Sequence, residues 1–320
     1  MMKNSQAIYV EDLTKIYTPR RKPPVHAVNG ISFTVECGTI FGLLGPNGAG
    51  KSTTIKVLTT LTPPTSGKAY VNGFNCIEQP LETRKSLAVV LQQNAFEQFM
   101  SVLNNLRTYA QFHHIPRKEA NKRITAVLDQ FGLYDDRHTH AIDLSGGMRR
   151  RLQVAKAFLS GKPVIFLDEA TTGLDPINRR TTLQAIQQQA SQGTTIILTT
   201  HVLDEAEELC DRLVIINEGN IIAEGDVPAI KRLGTPAYSM QLTFKTTGNE
   251  LREYLKQLNP LHFKFNNTLI DITLQRTHQE ILKIIQELNR SYGLVHFEVH
   301  SADLEDVFID LLSQTSEERA

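Results

Sequence analysis

The sequence predicts an α/β fold: a mixed sheet, an antiparallel β-layer beside it, a helical insertion, and a small α+β domain at the C-terminal end. Three observations carry that expectation. An apolar run, Ile40-Phe41-Gly42-Leu43-Leu44, passes through a glycine-rich turn into a helical segment around Thr54 to Leu58. Two further apolar runs, Pro163 to Leu167 and Thr195 to Thr200, lead into polar residues, as buried strands of an α/β sheet do. Beyond Pro236 a fresh β-α-β-β-α-β order begins. With 320 residues, 41% hydrophobic and 21% charged, the chain has material for one large core and a second domain.

In chain order, Ala7 to Leu13 and Ile31 to Val35 read as two strands joined by an exposed Pro- and Arg-rich loop, Pro19 to Pro24. Tyr17 sits in the turn between them, where an aromatic ring either packs or stacks on a purine. The turn after Leu44 is Gly45-Pro46-Asn47-Gly48-Ala49-Gly50-Lys51-Ser52-Thr53, which matches G-x-x-x-x-G-K-[ST] between a strand and a helix. In that context the glycines let backbone N–H groups turn inward around phosphate oxygens, and the next helix adds its positive N-terminal end. Lys51 then reaches the β- and γ-phosphates, and Ser52 offers a hydroxyl to Mg²⁺. Ala69 to Gly73 is another short strand with an Asn-Gly turn, which completes the antiparallel layer.

Leu87 to Leu91 is an apolar strand that stops at Gln92. The period then becomes helical through Val102, Leu106 and Ala110 and through Ile124, Val127 and Phe131, with Gly132 placed to end a helix. A helical insertion over about 93–143 follows. His113 and His114 lie inside it, but adjacent histidines diverge on a helix and form no metal site. Leu144-Ser145-Gly146-Gly147-Met148 opens the next helix, followed by Arg149, Arg150 and Arg151. Spacing alone leaves two readings, a capped helix start or a second anion site, and a cationic first turn demands an anionic neighbour or solvent. The strand from Pro163 ends in Asp168 and Glu169, placed to hold Mg²⁺ and to polarise an attacking water. The strand from Thr195 delivers His201 to the same sheet edge, where a histidine that in isolation reads as part of the core is placed for a phosphate contact, and Asp204 to Glu208 begin an acidic helix.

Lys+Arg and Asp+Glu both number 34, so charge points to neither nucleic acid nor an acidic membrane surface. Cys37, Cys76 and Cys210 suggest neither a disulfide framework nor zinc, and fit a reducing cytosolic setting. No apolar run approaches the roughly 18 residues that span a bilayer, and no signal peptide is visible, so a membrane role would come through a partner.

In order and spacing, residues 7 to 230 resemble the nucleotide-binding subunit of ATP-binding cassette (ABC) transporters. The resemblance rests on the Gly45 to Thr53 loop, Gln92, the Leu144 to Met148 signature, Asp168 with Glu169, Gly173-Leu174-Asp175, and His201. It implies the P-loop NTPase cassette fold, with ATP and Mg²⁺ as ligands. It further implies that Tyr17 stacks on adenine, that Ser52, Gln92 and Asp168 hold Mg²⁺, and that Glu169, His201 and Gln92 serve hydrolysis. By the same resemblance, two copies meet head to tail, so that Ser145, Gly146, Gly147 and Asp175 of one copy close over ATP held by Gly45 to Thr53 of the other. Gln92 then reports the nucleotide state to a separately encoded integral-membrane permease, and the chain sits peripherally on the cytoplasmic face of the cell membrane. The sequence departs from the common pattern at Met148, where many members have Gln, and at Ala170, where Pro is common.

The expected boundary is 1–235 for the cassette and 236–320 for a small α+β domain, ferredoxin-like and closed by a final helix with Leu304, Val307, Phe308, Leu311 and Leu312 on one face. Its Leu304-Glu305-Asp306-Val307-Phe308 resembles the ending of ATPases that serve ABC-2-type exporters of drugs and antibiotics, with lipid or polysaccharide-like cargo in the same class. The expected function is the ATPase of such an exporter, with the added domain for packing or dimer stabilisation. The alternatives are an importer ATPase with a ligand-sensing tail, or a soluble cassette protein acting on ribosomes or DNA; against the latter stand a single cassette and the lack of a basic tail.

Overall fold

The computed structural model describes residues 5–20, 23–90, 96–233, 237–301 and 303–317. It begins with strands β1 (Gln6–Tyr17), β2 (Val25–Glu36) and β3 (Ile40–Leu44), then helix α1 (Lys51–Leu58), the hairpin β4 (Ser66–Val71) and β5 (Phe74–Asn75), helix α2 (Pro80–Lys85) and β6 (Leu87–Val90). Helices α3 (Val102–Phe112), α4 (Arg117–Gln130) and α5 (Gly146–Leu159) follow. The alternation resumes with β7 (Val164–Asp168), α6 (Pro176–Ser191), β8 (Thr195–Thr199), α7 (Leu203–Leu209), β9 (Arg212–Asn217) and β10 (Asn220–Gly225).

Strands β2-β1-β4-β5 form the antiparallel layer, and β10-β9-β3-β8-β7-β6 form a mixed sheet that is parallel except at β10. The two sheets share a core in which Ile8, Val10, Ile31 and Phe33 pack with Phe41, Leu43, Phe166 and Val214. Phe33 stacks on Phe41, with ring centroids 5.4 Å apart. Asn72 (φ 49°) and Gly73 (φ 84°) give the β4–β5 hairpin the paired positive-φ turn expected of Asn-Gly.

Strand β1 runs further than its apolar pattern predicts, because its ladder with β2 continues through several bulges to the pair Tyr17–Val25. Tyr17 is therefore the last paired residue of a strand rather than part of the turn. Helices α3 and α4 are the expected insertion, closed at its base by a bridge between Ser101 and His140. Gly132 (φ 58°) follows the end of α4, as a left-handed glycine cap does.

The chain divides into two compact units between Asp226 and Val227. The expected boundary, 235/236, lies outside the described residues. The short helix α8 (Val227–Lys231) belongs with the second unit, where it packs against the last helix. That unit contains β11 (Ala237–Phe244), α9 (Asn249–Gln257), β12 (His262–Asn266), β13 (Leu269–Gln275), α10 (His278–Tyr292), β14 (Leu294–Ser301) and α11 (Leu304–Glu317). Its sheet has the order β12-β13-β11-β14, all antiparallel, which is the ferredoxin-like arrangement. Met240, Leu242, Ile270 and Ile272 of the sheet pack on Leu251 and Leu255 of α9 and on Ile281 and Leu288 of α10. Helix α10 begins with a Thr277/Glu280 capping box and ends at Gly293 in the left-handed region. On α11, Leu304 and Val307 are buried, and Phe308, Leu311 and Leu312 are half-buried.

Cys37 is exposed, whereas Cys76 and Cys210 are buried and their thiols are pushed up to about 12 by desolvation. Because the thiolate is the reactive species, one thiol of the three should label with a disulfide reagent at pH 8 in the native chain, and all three after denaturation. Rapid native labelling of two or three would contradict the burial described.

Candidate functional site

Strand β3 delivers the chain to the edge of the mixed sheet, and its glycine-rich loop turns on backbone that side chains rarely adopt. Gly45 has φ 149° and Gly50 has φ 111°. A Cβ at Gly45 would lie 2.1 Å from the Ile216 carbonyl oxygen, and one at Gly50 would lie 2.4 Å from that of Ala27. Both positions therefore exclude any larger residue. The loop enters α1 with no side-chain cap and no acid in the first turn. The positive end of that helix is thus left for an anion from outside.

Lys51 is only 7% exposed. Its Nζ donates to the carbonyl oxygens of Gly45 (2.6 Å) and Pro46 (3.1 Å). Burial draws the ammonium below the usual lysine range, and Glu169 and Asp168 pull it back up.

The acids arrive because β8 lies between β3 and β7, so three neighbouring strands end at one edge. Thr199 on β8 donates its hydroxyl to Asp168 Oδ1, and its carbonyl accepts the Glu169 backbone N–H at 3.0 Å. Glu169 has φ 51°, a left-handed conformation for a non-glycine residue. His201 places Nδ1 3.2 Å from Glu169 Oε1. Asn47 to Thr53 with Asp168 and Glu169 line a cleft of about 210 Å³. A larger hollow of about 590 Å³ between α3 and α4, bordered by Arg107, His114 and Arg117, includes none of these residues and is walled mostly by exposed side chains.

Ser145, Gly146 and Gly147 are not among the walls of the 210 Å³ cleft. Ser145 and Gly146 are exposed, and Ser145 Oγ accepts the Met148 N–H at 3.2 Å, so the capped-helix reading holds locally. Asp175 caps α6 by accepting the N–H groups of Ile177 and Asn178, each at 3.1 Å, and also accepts from the Asn178 side chain. Those bonds from Asn178 and Ile177 hold its carboxyl below the usual range. Tyr17 is 37% exposed, with Lys15 Nζ 5.1 Å from its ring centroid, and does not line the cleft. Gln92 lies outside the described residues.

Each of the three arginines of α5 donates to backbone carbonyls. Arg149 Nη2 donates to the Ile142 carbonyl at 2.6 Å, and Arg151 Nη1 donates to the Phe131 and Gly132 carbonyls at 2.5 and 3.2 Å. Arg151 thereby satisfies the negative C-terminal end of α4. Arg150 reaches the carbonyls of Asp168, Glu169 and Ala170. Burial lowers its affinity for its proton, against the opposing pull of Asp168 and Glu169.

Sequence reasoning also missed Glu205. The sequence reads it as one acid at the start of an acidic helix, suited to that helix's positive end, and it is only 1% exposed. Its carboxylate accepts the hydroxyls of Thr171 (2.6 Å) and Thr200 (3.0 Å) and pairs with Arg179 at 2.8 Å. It therefore joins the turn after β7, the residue before His201, and α6. Its spacing of four from buried Leu209 marks it as facing the core.

The family model described as ABC transporter matches residues 28–172, which include the glycine loop and both acids. The chain is 33% identical over 320 residues to the daunorubicin/doxorubicin resistance ATP-binding protein DrrA of Streptomyces peucetius, across 99% of this chain and 95% of that protein. It is 39% identical over 211 residues to the Nod factor export ATP-binding protein I of Rhizobium johnstonii, across 65% of this chain and 68% of that one. A solved ATP-binding subunit of an ABC transporter is 30% identical, with a TM-score of 0.65 over 71% of this chain and 92% of its own. A relative matched along nearly its whole length, a family match across the loop and the acids, and a shared fold establish that this chain belongs to the ABC transporter family as an ATP-binding protein.

Proposed function

We propose that this chain is the ATP-hydrolysing subunit of an ABC-2-type exporter, working as a pair of copies beneath separately encoded permease subunits at the cytoplasmic face of the membrane. Relatives named for drug resistance and Nod factor export support the export direction. None of the helices among the described residues is long and apolar enough to cross a membrane, so contact with the cargo pathway falls to the permease. The second unit has its own apolar core, as a separately packed accessory domain does.

The carrying observation is that the phosphate cleft is small and lacks Ser145, Gly146 and Gly147 among its walls, which supports reading it as half a site. At about 210 Å³ it falls short of the roughly 300–1,000 Å³ typical of a self-sufficient ligand pocket. Meanwhile α5 exposes Ser145 and Gly146 at an N-terminus with no acid in its first turn. Closing one surface over the other gives the γ-phosphate a second helix N-terminus.

In the closed site the Gly45 to Thr53 backbone and Lys51 grip the phosphates, with Tyr17 beside the adenine. Ser52 and Asp168 would hold Mg²⁺, with Gln92 contributing, and the ion supplies neutralising charge on the transferring phosphoryl group. Glu169 takes the proton of the attacking water, while His201, already 3.2 Å from that carboxylate, orients it and steadies the γ-phosphate. Asp175 meets the opposite copy.

Hydrolysis by the purified chain should need Mg²⁺ and stop on chelation. A tagged chain should also retrieve one polytopic membrane protein from detergent-solubilised membranes, in an amount that Leu81→Asp or Phe99→Asp on the exposed surface near α2 and α3 reduces. Recovery of the chain with no integral-membrane partner, or with abundant nucleic acid, would argue against the exporter assignment.

A further inference from the structure

One side chain ties α5 to the turn that carries the carboxylates. Arg150 is 9% exposed. Its Nη2 donates to the carbonyl oxygens of Asp168 (2.5 Å) and Glu169 (2.7 Å), and its Nε to that of Ala170 (3.1 Å). Gln153 Oε1 holds Nη1 at 2.6 Å. Three successive carbonyls meet one guanidinium only where the backbone turns sharply, and Glu169 at the centre of the three has φ 51°. A non-glycine residue stays in that region when its surroundings over-determine it. The planar, fixed fork of arginine does this; the single point charge of lysine would not reach three carbonyls.

We propose that Arg150 is a positioning residue: it holds the left-handed turn that aims Glu169 into the phosphate cleft, and it makes that aim depend on the placement of α5. The proposal rests on the reading of Glu169 as the base for water. Ser145 and Gly147 stand at the head of the same helix, five and three residues before Arg150, and meet the nucleotide of the second copy. Docking of α5 on one nucleotide is therefore transmitted, through a rigid helix and Arg150, to the carboxylate that serves the other. The link lies within one chain and joins the two sites of the pair.

The test is steady-state hydrolysis by the full-length chain with Mg²⁺. Arg150→Lys should lower kcat by about 10- to 100-fold, the scale of a misplaced reacting group. Its KM for ATP should stay within about threefold, because the groups that grip the nucleotide are untouched. ATP-driven pairing, read by light scattering, should persist. Gln153→Leu frees one side of the guanidinium without removing it, and should shift kcat in the same direction by less; it carries the test if Arg150→Lys does not fold. Arg151→Lys is the comparison: its fork closes the end of α4, and it should lower the melting temperature without a selective loss of kcat. Parental kcat in Arg150→Lys, or in a folded Gln153→Leu should Arg150→Lys not fold, would overturn the inference, as would a loss in which kcat, KM and melting temperature move together. Glu169→Gln run in parallel separates the two readings. If it retains the parental rate, the base assignment fails first; if it is inactive while Arg150→Lys is not, the positioning role alone fails.

Discussion

Glu169→Gln is expected to lower ATP turnover by about 10²- to 10⁴-fold, the range a positioned general base supplies, equivalent to about 3–5 kcal/mol of activation free energy. The amide preserves the shape of the side chain but cannot accept the water's proton. Its backbone conformation should survive, since the left-handed turn is held by Thr199 and Arg150 through main-chain atoms. ATP affinity should be little changed, because Lys51 and the glycine loop are intact. Binding without hydrolysis should therefore accumulate the paired form with ATP. A Glu169→Gln chain that turns over at the parental rate would place the base elsewhere.

Lys51→Ala should act on the other half of the scheme. A hydrogen bond to a charged group contributes about 1.5–3 kcal/mol, so ATP binding should weaken by about 10- to 100-fold. The parental chain should gain thermal stability with ATP according to how far the ligand exceeds its Kd, and the variant should lose most of that gain at the same concentration. A secondary effect follows from the structure without nucleotide: Lys51 also closes the loop onto the Gly45 and Pro46 carbonyls. Lys51→Met, which retains most of the buried stem, separates the two contributions. An unchanged ATP-induced shift in melting temperature in either variant would remove Lys51 from the phosphate contacts.

Much of this architecture was legible because it is local. The glycine loop is readable because Gly45 and Gly50 have no sterically allowed substitute, and the buried strands β7 and β8 because their apolar runs end abruptly in polar residues. The β-α-β-β-α-β order of the second unit could be read from period changes alone. What escaped was long-range. Arg150 and Arg151 read as a charged first turn, and their true partners are carbonyls about twenty residues away. Glu205 reads as one of several acids at the start of an acidic helix, because nothing in its neighbourhood announces Thr171 or Arg179. Tyr17 was misplaced because β-bulges extend a ladder beyond the reach of an alternating pattern. Side-chain-to-backbone bonds across elements leave no periodic trace.

In the proposed pair each ATP site is assembled from the glycine loop of one copy and the head of α5 from another. Mixing two impaired chains tests this directly. Lys51→Ala removes the loop's grip but leaves Ser145 intact; Ser145→Arg blocks the head of α5 but leaves Lys51 intact. At ATP concentrations near the parental KM, each chain alone should retain at most a few per cent of the parental rate. In an equimolar mixture half the pairs contain one intact composite site, so the rate should recover to about one quarter of the parental value if pairing is random and the sites act independently. A mixture no more active than its separate components, or a Ser145→Arg chain that hydrolyses ATP at the parental rate by itself, would contradict the shared site.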